Sequence, residues 1–264
     1  MKKQVQSHGI SLKKKYGQHF LRDEKYIDAL IQKIDIKGAS IFEVGPGQGV
    51  LTRAILKKRV ARLWSFEIDE EWVAYLKRTL SDKRFTVHYT NILDFDFSLF
   101  KEHAPWVVLA NLPYQITFPL FHLFQKNKNF LQEGVVMVQE EVAQRIAATR
   151  GKSYGYVSLF FQHHFEWQLL SKVPASAFFP PPKVESRLLY FKPKKQEDDL
   201  FVSEKEEDNF WQFVKICFKQ PRRTLRNNLQ DHIALIECLS SEILTMRAQQ
   251  LSFDDLYSVW KKKP

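Results

Sequence analysis

Cysteine is nearly absent from this chain of 264 residues: there are two, Cys217 and Cys238. Neither belongs to a CxxC pair or a Cys/His cluster, so there is no disulfide framework and no zinc site of recognisable spacing, and no metal is expected. A reducing compartment fits. No uninterrupted apolar run reaches the length of a membrane span. The stretch MKKQVQSHGISLKKKYG is basic but lacks the apolar segment of a secretory signal. The protein is therefore expected in the cytoplasm, with no membrane partner. Internal repeats and extended low-complexity tracts are missing too. Acidic residues are in deficit, 30 against 40 Lys and Arg, which leaves a net charge of +10. That balance points to a polyanion, nucleic acid ahead of membrane.

The chain does contain 44% hydrophobic and 14% aromatic residues, enough for a sizeable core and incompatible with global disorder. Ile27, Leu30, Ile31 and Ile34 in DEKYIDALIQKI fall on one helical face. ASIFEV reads as a strand, GPGQG as a loop and VLTRAILKK as a helix. RLWSFEID, RFTVHYTN, WVVLAN and GVVMVQ continue as strands. EEWVAYLKRTL, FPLFHLFQKN and EEVAQRIAAT lie among them as helices. Alternating strands and helices imply an α/β fold, a doubly wound and mostly parallel sheet covered on both faces. YVSLFFQHHFEWQLL and ESRLLYFKP read as further strands, an antiparallel edge. At 192–208 the composition turns basic and then acidic without an apolar pattern, as in a solvated linker. NFWQFVKICFKQ, RRTLRNNLQDHIALIECL and SFDDLYSVWKK are helical by pattern. The expected organisation is a Rossmann-like domain over 1–195 and a small all-helical domain over 196–264.

FEVGPGQG places Gly45, Gly47 and Gly49 between a strand and a helix, where glycine permits positive φ and a close approach of ligand to backbone. A tight turn without a ligand is the competing assignment. Glu43 just before the loop and Glu67 at the end of the next strand favour a ligand. In a doubly wound sheet a carboxylate at the second position binds ribose hydroxyls. The glycine spacing is shorter than a dinucleotide site wants. It suits one ribose and no phosphate, favouring S-adenosylmethionine over NAD.

NLPYQIT follows the strand WVVLA directly. Ligands of such sheets sit at the carboxyl ends of strands, so Asn111 and Tyr114 would face a methyl donor there. An exocyclic amine on a base is a weak nucleophile, its lone pair delocalised into the ring. Acceptors that grip its hydrogens, the Asn111 side-chain oxygen and the Leu112 carbonyl, favour a pyramidal nitrogen. Pro113 stiffens the turn, and Tyr114 offers a face worth roughly 1–3 kcal/mol of base stacking. In-line transfer then needs mainly positioning. The alternative is that Asn111 caps the following helix and Tyr114 packs in the core.

With these segments identified, the chain resembles the ribosomal RNA adenine dimethyltransferases of the bacterial small-subunit type. The matching segments are KKYGQHFL (14–21), FEVGPGQGVLT (42–52), FEID (66–69), NLPYQIT (111–117), AFFPPPKVES (177–186) and FKQPRRTLRNNL (218–229). They run in family order over nearly the whole chain. The resemblance implies a Rossmann-like methyltransferase that uses S-adenosylmethionine to dimethylate two adjacent adenosines. Its target would be a hairpin near the 3′ end of small-subunit (16S) ribosomal RNA in a pre-ribosomal particle, with the protein acting as a monomer in subunit biogenesis. It further implies that His19 and Leu21 cover the cofactor, Gly45 and Gly47 approach it and Glu67 holds its ribose. Asn91 would face its adenine amine and Asn111 its methyl, while Tyr114 and Phe178 sandwich the target adenine. The family commonly has Asn at position 19, Asp at position 91 and no proline at 221, so this chain departs at three places. Arg222, Arg223 and Arg226, within about one helical turn, are expected to meet RNA phosphates, as are the lysines of 13–15 and 261–263. Two other functions compete: a large-subunit (23S) adenine methyltransferase of the macrolide-resistance type, and an inactive RNA-binding assembly factor. Leu112 and PPPKVES favour the small-subunit enzyme over the large-subunit one.

Overall fold

The computed structural model describes residues 6–13, 16–195 and 200–262. Seven strands form the central sheet: β1 (Ser40–Val44), β2 (Arg62–Glu67), β3 (Phe85–Tyr89), β4 (Trp106–Asn111), β5 (Leu131–Gln139), β6 (Phe165–Val173) and β7 (Ser186–Pro193), in the order 3-2-1-4-5-7-6. The first five pair in parallel, and β7 runs antiparallel between β5 and β6. The strand order reverses between β1 and β4, which opens a crevice at their carboxyl ends.

The centre of the sheet follows from residue type. Trp106 to Ala110 of β4 are all fully buried, as an apolar run covered on both faces requires. One face packs on α1 (Glu24–Gln32) and α2 (Val50–Leu56) through Leu30, Ile31, Ile55, Leu63 and Leu109. On the other, Phe42 stacks on Phe100 at 5.1 Å, and Phe100 meets Trp106 edge-on at 4.6 Å. Enclosing each such side chain contributes about 1.5–3 kcal/mol. Helix α3 (Glu70–Thr79) begins at Asp69, whose carboxylate caps the Glu71 N–H. Helix α4 (Thr117–Lys126) follows NLPYQI without a side-chain cap, so Asn111 is not a helix cap.

The chain divides into two compact units, 1–143 with 165–193, and 144–164 with 194–264. The division falls within α5 (Glu140–Ala147). The second unit contains α6 (Tyr156–His164), α7 (Glu204–Cys217), the short helices α8 (Leu225–Asn228), α9 (Ile233–Glu237) and α10 (Ser241–Thr245), and α11 (Phe253–Lys261). Its core is aromatic, with Phe210 against Phe253 and Trp260.

Three details differ from the sequence expectations. YVSLFFQHH forms helix α6 rather than strand, and the strand starts only at Phe165. A nearly continuous apolar run has no period to distinguish the two. Of the stretch 192–208 read as linker, residues 204–208 are the first turns of α7, where Ser203 caps Glu206 and the carboxylates complement the helix dipole, and residues 196–199 lie outside the described residues. Arg222 and Arg223 lie in a turn, with only Arg226 in α8; all three are exposed. Of the two lysine runs, Lys14, Lys15 and Lys263 lie outside the described residues.

Candidate active site

Three glycines shape the crevice. Gly45, Gly47 and Gly49 have φ of 68°, 50° and 73°, the left-handed region that side chains disfavour. A Cβ on Gly47 would stand 2.4 Å from the Phe20 ring. The loop is thus pressed between the end of β1 and the segment 16–20, and its N–H groups are set by what lies beneath. Glu67 supplies that support. One carboxylate oxygen accepts from Gly47 N–H at 3.0 Å, and the other accepts from Ile68 and Asp69 N–H at 2.9 and 3.0 Å. Burial raises its pKa above the ordinary carboxylate value despite those donors.

Behind the loop sits a second carboxylate. Thr52 and Ser65 hydroxyls donate to one oxygen of Glu43 at 2.7 and 2.8 Å. Full burial pushes this group up to about 7. Glu43 does not line the cleft; it ties β1, β2 and α2 together beneath it.

The cleft has a volume of about 330 Å³ and is lined by residues 16–20, the glycine loop, Phe66–Ile68, Asn91, Ile92 and Asn111–Ile116. That is large enough for a nucleoside-sized ligand. Asn111 donates its amide N–H to the His19 carbonyl at 3.1 Å. This bond fixes the amide's orientation and leaves the side-chain oxygen as an acceptor. The Leu112 N–H is spent on the Met137 carbonyl at 3.1 Å, so NLPY starts as an extension of the sheet. Tyr114 is half-buried, with its hydroxyl 2.6 Å from Ser186 Oγ. Desolvation raises its pKa, so it remains a neutral phenol. Its ring lies 6.2 Å from that of His19 at 24°, and His19 Nδ1 is 2.7 Å from the Pro180 carbonyl. A carbonyl only accepts, so Nδ1 carries the hydrogen.

Of the residues expected in the site, His19, Gly45, Gly47, Glu67, Asn91, Asn111, Leu112, Pro113 and Tyr114 line one cleft. Leu21 and Phe178 do not. They pair with each other in a two-stranded ribbon of Phe20–Leu21 and Phe178–Phe179. Both are buried in the core, Phe178 to 4% exposure. Alternation along the ribbon turns Phe178 inward, while its neighbour Phe179 lies under the Arg22 guanidinium at 3.9 Å. A sandwich of adenine between Tyr114 and Phe178 is therefore not preformed. Asn91 accepts from Leu93 N–H at 3.2 Å and donates to Asp94 at 2.9 Å, so its amide oxygen already caps a turn.

Sequence reasoning assigned Lys13 to RNA phosphates and passed over Gln18, yet both are engaged in holding the 16–20 segment in place. Lys13 reaches Asp69 at 2.5 Å and Glu71 at 2.6 Å, and Gln18 donates to Asp69 at 3.0 Å. Asp69 is buried. No local pattern signals these contacts, which join positions far apart in the chain. Phe20 could have been found, since it lies inside GQHFL and faces the glycine loop.

A model of the ribosomal RNA adenine dimethylases matches residues 9–262. The chain belongs to the ribosomal RNA adenine dimethylase family. Among its relatives is the ribosomal RNA small subunit methyltransferase A of Desulfitobacterium hafniense, 36% identical over 261 residues that cover 95% of this chain and 92% of the relative. In fold, this dimethylase is similar to a dimethyladenosine transferase from Plasmodium falciparum, with a TM-score of 0.76 at 22% identity, over 92% of this chain and 98% of that one. It is also similar to the 23S rRNA methyltransferase ErmE, with a TM-score of 0.68 at 21% identity, over 92% and 99%. Family members use S-adenosylmethionine, and the donor set fits it. The Glu67 carboxylate lies in the cleft wall, Gly45 and Gly47 leave the backbone open, and Phe66, Ile68 and Ile92 wall an apolar slot. When bound, S-adenosylmethionine supplies a methyl group on a positively charged sulfur.

Proposed function

We propose that this dimethylase places two methyl groups on the exocyclic amine of each of two adjacent adenosines in the 3′-terminal hairpin of small-subunit ribosomal RNA. It would act as a cytoplasmic monomer on a pre-ribosomal particle and contribute to subunit biogenesis. The observation that carries this is the oriented amide of Asn111 in the cleft beside the glycine loop. The names borne by relatives above 30% identity support the small subunit as the target.

The chain's part in the reaction is to bind and orient. Asn111 Oδ1 and the Leu112 carbonyl accept from the adenine amine and localise its lone pair toward the incoming methyl. Preorganised acceptors of this kind contribute to rate because they need no rearrangement as charge develops. Pro113 keeps the two acceptors in fixed relation. The Tyr114 ring provides a stacking face, with His19 beside it. The amine loses its proton after transfer, so no strong base is required.

Transfer of labelled methyl from S-adenosylmethionine to unmethylated small subunits, followed by nucleoside analysis and mapping, tests the proposal. Dimethyladenosine at two neighbouring 3′ positions is expected. Label confined to large-subunit RNA, or cofactor binding with no transfer to any RNA, would overturn it.

A further inference from the structure

Away from the cleft, the helical unit brings together two histidines and a carboxylate that methyl transfer does not use. His163 and His164 end α6, and Glu207 lies near the start of α7. One oxygen, Glu207 Oε1, is 3.7 Å from His163 Nε2 and 3.5 Å from His164 Nε2. Their ligand atoms all lie within 4.8 Å of one another. The two measured spacings are long for hydrogen bonds. They match the edge of a coordination tetrahedron, since two ligands each about 2.1 Å from a zinc ion stand roughly 3.4 Å apart.

The surroundings hold these groups as a metal site requires. His163 stacks on Phe253 at 5.0 Å and 10°, and His164 meets Phe160 edge-on at 4.8 Å. Trp211 donates its indole N–H to the same Glu207 oxygen at 3.1 Å. A hydrogen bond of this kind, behind the ligands, orients a coordinating carboxylate. Burial is graded: the His164 side chain is 3% exposed, against 23% for His163 and 21% for Glu207. That leaves one side open for an ion to arrive and for water to complete its shell.

We propose that His163, His164 and Glu207 form a binding site for a divalent transition-metal ion of the zinc type, which cross-links α6 to α7. Two imidazoles and one carboxylate suit Zn²⁺, Co²⁺ or Ni²⁺, whereas Ca²⁺ and Mg²⁺ want all-oxygen shells. The role is structural, because none of the three residues lines the cleft. Cysteine spacing gave no hint of it: the ligands are adjacent histidines and a distant glutamate.

The test uses untagged full-length protein stripped with chelator and then titrated with Zn²⁺ by calorimetry and with Co²⁺ by visible absorption. One ion per chain is expected, with intense d–d bands of tetrahedral Co²⁺ and a higher melting temperature in Zn²⁺ than in chelator. Glu207→Gln and His163→Asn should each weaken binding at least tenfold while leaving methyl transfer and the chelator-state circular dichroism unchanged. Using two variants at partly exposed positions guards against one failing to fold. Absence of binding by the wild type, or equal binding by both variants, would overturn the proposal.

Discussion

Asn111 is oriented through its nitrogen, and in the proposed reaction it acts through its oxygen, so truncating it removes both the anchor and the acceptor. Asn111→Ala should lower kcat by about 100-fold or more, read in single-turnover methyl transfer, with a small change in melting temperature because the residue is only half-buried. Tyr114 separates ring from hydroxyl. Tyr114→Phe loses the Ser186 bond and should cost less than tenfold, whereas Tyr114→Ala loses the stacking face and should cost about 10–100-fold in kcat/KM. Glu43 links a single group to stability. Between the ordinary carboxylate value of 4.5 and about 7, the folded chain holds a proton there that the unfolded chain has released. This group's contribution is thus full at low pH and declines as pH rises through that window, by about 3 kcal/mol. Glu43→Gln keeps an acceptor for Thr52 and Ser65 without the charge. Its stability relative to wild type should rise by about that amount between about pH 5 and pH 8 in denaturant titrations. At this scale the sequence was most readable where one residue type alone can do the work. Glycines 45 and 47, Glu67 and Asn111 stood out for that reason. Gln18 did not, and Lys13 was read as an RNA contact, because any long polar side chain can reach a carboxylate and only the fold says which one.

Among elements, the segment 16–20 forms one wall of the cleft, and its last residue, Phe20, enters the ribbon with Phe178–Phe179. The segment 16–20 is tied to Lys13, whose backbone N–H donates to Gln18 and whose ammonium is stabilised by hydrogen bonds to Asp69 and Glu71. It is also held by Asn111, whose amide donates to the His19 carbonyl. Lys13→Ala should loosen it and weaken S-adenosylmethionine binding several-fold in equilibrium dialysis, with little effect on the melting temperature because Lys13 is partly exposed. Gly47→Ala is a harsher change to the glycine loop. Its methyl would overlap the Phe20 ring, and its φ of 50° is strained for alanine. Cofactor binding should fall more than tenfold. The existence and type of most elements were evident from period and from glycine punctuation. The failure at Tyr156–His164 came from an apolar run that satisfies helix and strand patterns alike. The failure at Glu204–Asp208 came from acidic residues that read as solvated chain yet begin a helix once Ser203 caps it.

For the whole molecule, the excess of 10 positive charges sets the long-range attraction to RNA. If Arg222 and Arg223 each neutralise a phosphate, the double alanine variant should bind RNA more weakly and lose roughly 0.7–0.9 of salt slope per contact, measured as log K against log salt. An unchanged slope would remove them from the RNA contact. Among the described residues no helix is long and apolar enough to cross a membrane. The second compact unit holds the described helices of the carboxyl-terminal region together with α6, which comes from within the first 195 residues.

By itself the sequence determined the alternation of strands and helices, the glycine turn with the carboxylate of Glu67 beside it, and the NLPY loop at a strand end. Each is a local pattern in which a residue's own conformational or chemical preference speaks. Tertiary structure alone decided that Phe178 turns into the core while Tyr114 faces the cleft, that Lys13 pairs with Asp69, and that two histidines meet Glu207. Those outcomes depend on which remote segments are folded against each other, and a side chain's environment is not encoded in its neighbours along the chain.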